Sequence, residues 1–258
     1  MGTKIKEFRQ YNNLFTELVR KGIKLKYRRS YLGIAWSLVE PLLEMIVLTI
    51  VFGTLLGHDD KTFPVYILTA RLLYSFFSQG TKACLSSIRK NSSMIKKVYV
   101  PKYLYPLSSV LSNYVIFLIS LIVLIAVALV LGVYPTRYLV AAIVPLVLIV
   151  ILTFGCGMIL ATLGVFFRDL EYLWQVALML IMYTCAIFYY PDKILKSANG
   201  WILKINPLYR IISLFRNAVF GQPLDMHSLI YATVFSVGSL IIGLWIFHRQ
   251  QDKFILHI

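Results

Sequence analysis

The sequence predicts an all-α integral membrane protein with six transmembrane helices, and three observations carry that prediction. Hydrophobic residues make up 59% of the 258 and charged residues only 14%, against roughly 45–50% and 25% in soluble domains. Mean hydropathy is +0.76, so the chain holds more apolar surface than one water-soluble core can hide, and the surplus faces lipid. The Lys and Arg residues behind the net charge of +15 gather in the connections between apolar runs, as topology signals do.

About 20 mostly apolar residues cross the hydrocarbon core. Runs of this kind predict spans at 33–56, 64–85, 106–132, 138–163, 172–190 and 229–247, in one transmembrane domain covering 1–258. A further run at 201–220 is rejected as a span. Lys204, Asn206, Pro207, Arg210, Arg216 and Asn217 interrupt it, and each buried charge costs about 2.5–3.5 kcal/mol. With the N-terminus inside, 17 of the 26 Lys and Arg fall on the cytoplasmic side. Both termini are therefore expected in the cytoplasm.

Three polar stretches are patterned enough to predict structure. In 1–32, Phe8, Tyr11, Phe15, Leu18, Gly22 and Leu25 recur at helical spacing with Lys and Arg opposite. This predicts an amphipathic helix lying in the headgroup plane against anionic lipid; a solvated basic arm is the alternative. The same 32 residues hold no apolar signal-peptide core, so insertion is expected to use the first span. In 86–101, Ser92 is the expected cap and Pro101 the stop of a short helix. Such a helix would present Met94, Ile95, Lys96 and Lys97 to a cytoplasmic partner, unless the loop only sets topology. In 191–228, Pro191, Gly200, Pro207, Gly221 and Pro223 separate two short segments, Trp201–Ile205 and 208–220, apolar on one side and basic on the other. They are expected as re-entrant helices between spans five and six, with a single folded outer loop as the alternative. Lys204, Arg210 and Arg216 are expected at headgroup level, above the apolar sides.

The chemistry-bearing residues argue against an enzyme. Cys84, Cys156 and Cys185 lie in apolar runs, the four histidines are scattered, and the 11 acidic residues make no evident pair. No catalytic residue, metal site or cofactor is expected. No G-x-x-x-x-G-K-[ST] loop occurs, so ATP-driven work would need a separate subunit. No nucleic-acid-binding motif accompanies the basic charge. Charges inside spans are costly and face protein or water. Glu40 and Lys82 fall at similar depth and are expected to pair, whereas Glu44 has a partner only if Arg71 reaches down to it. Arg168-Asp169 sits at the cytoplasmic mouth of the fifth span, either as a helix-start boundary or as part of a channel closure.

Several motifs then carry a family resemblance. Residues 25–41, LKYRRSYLGIAWSLVEP, with Arg28, Arg29 and Trp36, resemble the start of the first span in ABC-2 type polysaccharide export permeases. Phe63-Pro64-Val65-Tyr66, Ile95-Lys96-Lys97-Val98-Tyr99-Val100-Pro101-Lys102-Tyr103 and Phe166-Phe167-Arg168-Asp169 follow in the family's order. Asn206-Pro207-Leu208-Tyr209 with Leu214-Phe215-Arg216, and Gln251-Asp252-Lys253-Phe254, complete it. The resemblance implies a homodimer in the cytoplasmic membrane, docked on two copies of an ABC ATPase that binds the ATP and Mg. It also implies a lipid-linked polysaccharide of undecaprenyl-diphosphate type as cargo, as for O-antigen, capsule or teichoic acid. Residues 86–101 become a coupling helix, and 191–228 gate helices carrying Trp201, Asn206, Pro207, Leu208, Ile212 and Phe215. A glycan path wants aromatic faces, which makes Tyr74, Phe76, Phe77, Trp174, Tyr183, Phe188, Tyr189 and Tyr190 channel candidates, although such residues also anchor helices at membrane interfaces. The alternatives are an ABC-2 permease for a small lipid or drug, or an integral membrane glycosyl- or acyltransferase.

Overall fold

A computed structural model describes residues 11–28, 30–56, 60–97 and 100–257; Phe8, Arg29, Val98 and Tyr99 lie outside the described residues. In chain order come α1 (Asn12–Tyr27), α2 (Trp36–Leu56), α3 (Phe63–Lys90), α4 (Ser92–Ile95), α5 (Leu104–Val130) and α6 (Ile143–Phe166). They are followed by α7 (Leu170–Tyr183), α8 (Asp192–Leu195), α9 (Trp201–Ile205), α10 (Pro207–Val219), α11 (Met226–Gln250) and α12 (Phe254–His257). Four stretches are long and apolar enough to cross a membrane: Gly33–Gly53, Leu104–Val130, Arg137–Phe166 and Met226–Leu256.

Helix α3 has 28 residues, length enough to cross, but it is less apolar than those four. Its position explains why. It packs against α2, α5, α6, α7 and α10, so its surface meets protein and has no need to be greasy all round. Ser78, Thr81, Ser86 and Ser87 sit buried on it, and the last three bond carbonyls one turn back along the same helix.

The expected fifth span does not run through 172–190 as one helix. Helix α7 stops at Tyr183 after 14 residues, about 21 Å at ~1.5 Å per residue. The chain then turns irregular, with Ala186 at φ +49° and Cys185, Ala186 and Ile187 fully buried. Non-helical backbone at such depth survives where protein supplies its hydrogen bonds. Here Tyr66 Oη donates to the Tyr189 carbonyl at 3.0 Å and to the Ala186 carbonyl at 3.4 Å, and the Asn206 amide holds the Thr184 side chain, donating to its Oγ1 at 2.9 Å.

Helix α1 is amphipathic as expected, and its packing partner is α5. Leu18 is buried, and Tyr11, Leu14 and Phe15 pack against the same cluster as Ile88, Leu104, Tyr105, Met158 and Phe247. Gly22 permits the close approach, since a Cβ there would lie 2.5 Å from Ser112 Oγ, and that hydroxyl donates to the Val19 carbonyl at 3.1 Å. Leu25, counted on the apolar face, is exposed. Asp225 caps α11 by accepting from the Ser228 and His227 N–H groups. Hydrogen bonding from Ser228 holds its carboxyl below the usual carboxylate range.

The most extensive helix pair is α6 with α11, and small residues set its closeness. A Cβ on Gly243 would stand 2.4 Å from the Gly155 carbonyl oxygen, whereas one on Gly238 would meet nothing within 4 Å. Gly243→Ala is expected to cost about 1–3 kcal/mol through forced separation of the pair. Gly238→Ala should be neutral or slightly stabilising because alanine favours helix. Thermal unfolding of the detergent-purified protein checks this, and equal melting of the two variants would refute it.

Candidate functional site

The motifs scattered through the sequence converge in two knots at opposite ends of helix α3. At the end where the residues nearest both termini pack, Phe254 is fully buried against Phe166 and Phe247, at ring distances of 6.1 and 5.2 Å. Lys102 Nζ donates to the Gln251 carbonyl at 2.6 Å. Helix α3 continues through Lys90, so 86–90 is the last turn of a long helix rather than part of a loop. The expected short helix follows as α4, but its N-cap is Asn91, not Ser92. Within α4, Ile95 is buried in the cluster that holds Leu18, Leu104 and Phe254, and Met94 packs at its edge. Ser93, Lys96 and Lys97 are the exposed residues. The side expected to meet a partner is therefore partly turned into the subunit, because the cluster has more apolar contact to offer Ile95 than water does. Arg168 and Asp169 are exposed just before α7. The ion pair at this end joins Arg89 to Glu171, a partnership that depth along the spans did not suggest. Arg28 and Trp36 are exposed.

Inside the bundle, Arg71 reaches Glu44 with two bonds, Nη2 to Oε1 at 2.6 Å and Nε to Oε2 at 2.7 Å. Glu40 and Lys82, expected to pair, form no ion pair and are both exposed. Lys82 shares the α3 face of Arg71 and Gln79 but lies eleven residues beyond Arg71, about 16 Å further along the helix at ~1.5 Å per residue, whereas Glu40 is only one turn from Glu44. Gln79, one turn before it, takes up Lys26 of α1 instead. Lys26, Glu40, Glu44, Arg71 and Gln79 thus line one small polar crevice between α1, α2, α3 and α5.

The aromatic candidates divide. Tyr74 and Phe76 are enclosed, Tyr74 donating to the Leu178 carbonyl at 2.9 Å and Phe76 stacking near Phe117. They are packing residues in the subunit. Phe188, also buried, stacks on Phe52 at 4.7 Å. Phe77 and Trp174 border a cavity of about 430 Å³ beneath α9 and the start of α10. Trp174 Nε1 donates to Thr81 Oγ1 at 3.0 Å. Tyr183 is exposed, and Tyr189 and Tyr190 are half-buried.

At the far end, helices α9 and α10 stand where the sequence places them. Asn206 caps α10, accepting from the Leu208 N–H at 2.9 Å, and Pro207 occupies the first helical position, where its missing N–H costs nothing. Leu208, Ile212 and Phe215 are buried, while Trp201 is exposed. Arg216, expected at headgroup level with Lys204 and Arg210, is instead 6% exposed. Its Nη2 donates to the Tyr66 carbonyl at 3.0 Å, and its guanidinium lies 3.4 Å from the Tyr66 ring centroid. Helical spacing could have found it, because Leu208, Ile212 and Val219 put Arg216 on the apolar stripe. Lys204 is exposed, and Arg210 donates to Ser228 Oγ at 2.9 Å.

An almost wholly helical chain with several membrane-crossing stretches is a multi-pass membrane protein. Residues 13–220 match the ABC-2 type transporter family, and the chain belongs to that family. It is similar to the O-antigen export system permease protein RfbA of Klebsiella pneumoniae, 30% identical over 94% of this chain and 93% of that one. A protein of the same name from Myxococcus xanthus is 28% identical over 97% of each chain. The polysialic acid transport protein KpsM of Escherichia coli is 24% identical over 91% of this chain and 92% of its own. These are transporter subunits rather than enzymes, and ABC-2 permeases work with a partner ATPase.

The Arg71–Glu44 pair tests the site's internal order. A double-mutant cycle with Glu44→Gln and Arg71→Met should return a coupling of about 1–3 kcal/mol. The same cycle on Glu40 and Lys82 should return close to zero. Equilibrium unfolding in detergent measures both, and strong coupling of Glu40 to Lys82 would contradict the geometry.

Proposed function

We propose that this chain is the permease subunit of an ABC exporter that moves a lipid-linked polysaccharide across the cytoplasmic membrane. The observation that carries the proposal is the full-length similarity to O-antigen and polysialic acid export permeases. A small lipid or drug as cargo is less well supported, because the similarity runs end to end with glycan exporters. In this reading the domain 1–258 crosses the membrane six times. Helix α3 and the α7 segment supply the two crossings beyond the four most apolar stretches. Both termini are cytoplasmic, and two copies form the channel above two copies of the ATPase, which holds the ATP and Mg. The cargo is of undecaprenyl-diphosphate type, and anionic lipids bind the basic face of α1.

In this proposal α4 couples the permease to its motor, and the buried Ile95 changes how that coupling is tested. The docking face is formed by Ser93, Lys96 and Lys97, with Ile95 anchoring α4 to the subunit. Lys96→Glu with Lys97→Glu should sharply reduce co-purification of the ATPase while leaving membrane insertion intact. Unchanged co-purification would remove α4 from the interface.

Helices α9 and α10 act as the gate over the channel, with Pro207 and Gly221 at the ends of α10 as its breakpoints. Gly221 sits at φ +72°, a conformation that suits glycine. Single cysteines at Leu208, Ile212 and Phe215 should react slowly with an impermeant thiol reagent in the resting transporter, and one at Asp225 quickly. Lys193, whose side chain is not among those described, is expected to behave like Asp225. Uniformly fast labelling would reduce α10 to an exposed loop. Deleting the gene should remove the exported glycan from the cell surface, which tests the export reading as a whole.

A further inference from the structure

A second cavity, of about 490 Å³, opens at the outer end of α3, between the 60–66 turn, the 190–192 segment and helix α10. Its volume falls in the range of small-ligand sites, roughly 300–1,000 Å³. Its walls combine two kinds of group at the outer end of the subunit. Tyr190, Tyr209 and Phe220 give it aromatic surface, and Asp60, Asp192 and Asn217 give it planar carboxylate and amide groups. The cavity of about 330 Å³ against α5 and α6, by comparison, is lined by aliphatic residues, Pro135 and Phe215.

The electrostatics select the ligand. Arg216 is the cation in the wall, and it is already engaged by the Tyr66 carbonyl and ring. Two carboxylates share the wall, so a phosphate or other anion would meet repulsion without a free counter-charge among the described residues. Asp60 is held in place, accepting from the Thr62 hydroxyl at 2.9 Å and from Tyr190 Oη at 3.2 Å. A fixed carboxylate and an amide suit the adjacent hydroxyls of a neutral ring, and aromatic surface suits its C–H face. The buried Arg216–Tyr66 contact forms a rigid floor, so the walls stand preorganised.

We propose that this cavity is a binding subsite for one or two neutral sugar residues on the outer face of the transporter. There it would receive the glycan chain as it emerges beside the gate helix. The inference rests on the polysaccharide-export reading and deepens it.

The test uses the complete transporter with its ATPase in lipid nanodiscs. Saturation-transfer NMR would be run with D-glucose, D-galactose, D-mannose and N-acetyl-D-glucosamine. At least one should receive saturation, and inorganic pyrophosphate should not displace it. Asp192→Ala with Asn217→Ala should weaken that binding by roughly tenfold, as expected for removing hydrogen bonds to a charged group. Both side chains lie at the cavity's solvent edge, and Asp192→Asn, which preserves shape, provides a second measurement if the double variant melts early. No sugar signal, or signals equal in wild type and variants, would overturn the subsite. Displacement by pyrophosphate would make it an anion site instead. The surface-glycan assay is independent, so an exporter that still displays glycan yet binds no sugar here overturns the subsite alone.

Discussion

Lipid supplies no hydrogen bonds, so every polar group of this chain at membrane depth has to find its partner inside the protein. That requirement organises the fold around α3. This helix carries Arg71, Thr81 and a run of serines through the bundle, and their partners lie close by. Arg71 takes Glu44, Thr81 takes its own backbone and Trp174, and Tyr74 takes the Leu178 carbonyl. The outer helices can be almost wholly apolar because the central one hides the polar groups.

The same constraint explains the irregular chain after α7. A backbone that leaves the helix at Thr184 exposes carbonyls and amides, and the residues that meet them come from far away in sequence. Tyr66 reaches the Ala186 and Tyr189 carbonyls, Asn206 holds the Thr184 side chain, and Arg216 packs on the Tyr66 ring. Breaking the Arg216 contact would strand a buried charge, a costly state, so α10 is fastened by a charged contact rather than by apolar burial alone. Any movement of α10 either carries Tyr66 with it or breaks this contact.

At the opposite end the fastening is apolar. Phe254 joins α6 to α11, and Ile95 tucks α4 beneath the first helix. Aromatic and aliphatic contacts fix α4 to the subunit, while Lys96 and Lys97, which follow it, stay exposed. The polar crevice between α1, α2 and α3 then links this end to the middle of the bundle through Lys26 and Gln79.

Composition and hydropathy by themselves determined the membrane class, the helical character, the first, second, third, fourth and sixth long helices, and the positions of α9 and α10. Those features depend on local sums along the chain, and a sequence contains them in full. The missing loop for ATP and the ordered motifs likewise pointed to an ABC-2 permease without any coordinates. Only tertiary structure decided which charges meet, because pairing depends on how far α2 and α3 are shifted along each other, which span ends estimated from hydropathy do not fix. Glu44 meets Arg71, and that register leaves Lys82 about 10 Å beyond Glu40 along α3 at ~1.5 Å per residue. Tertiary structure also stopped α7 at Tyr183 in an otherwise apolar run. The hydrogen-bond partners that make the break tolerable, Tyr66 and Asn206, lie 123 and 22 residues from the groups they bind. Arg216 looked like a headgroup anchor by residue type, and its burial follows from the aromatic ring and carbonyl of Tyr66, which only the folded chain brings beneath it.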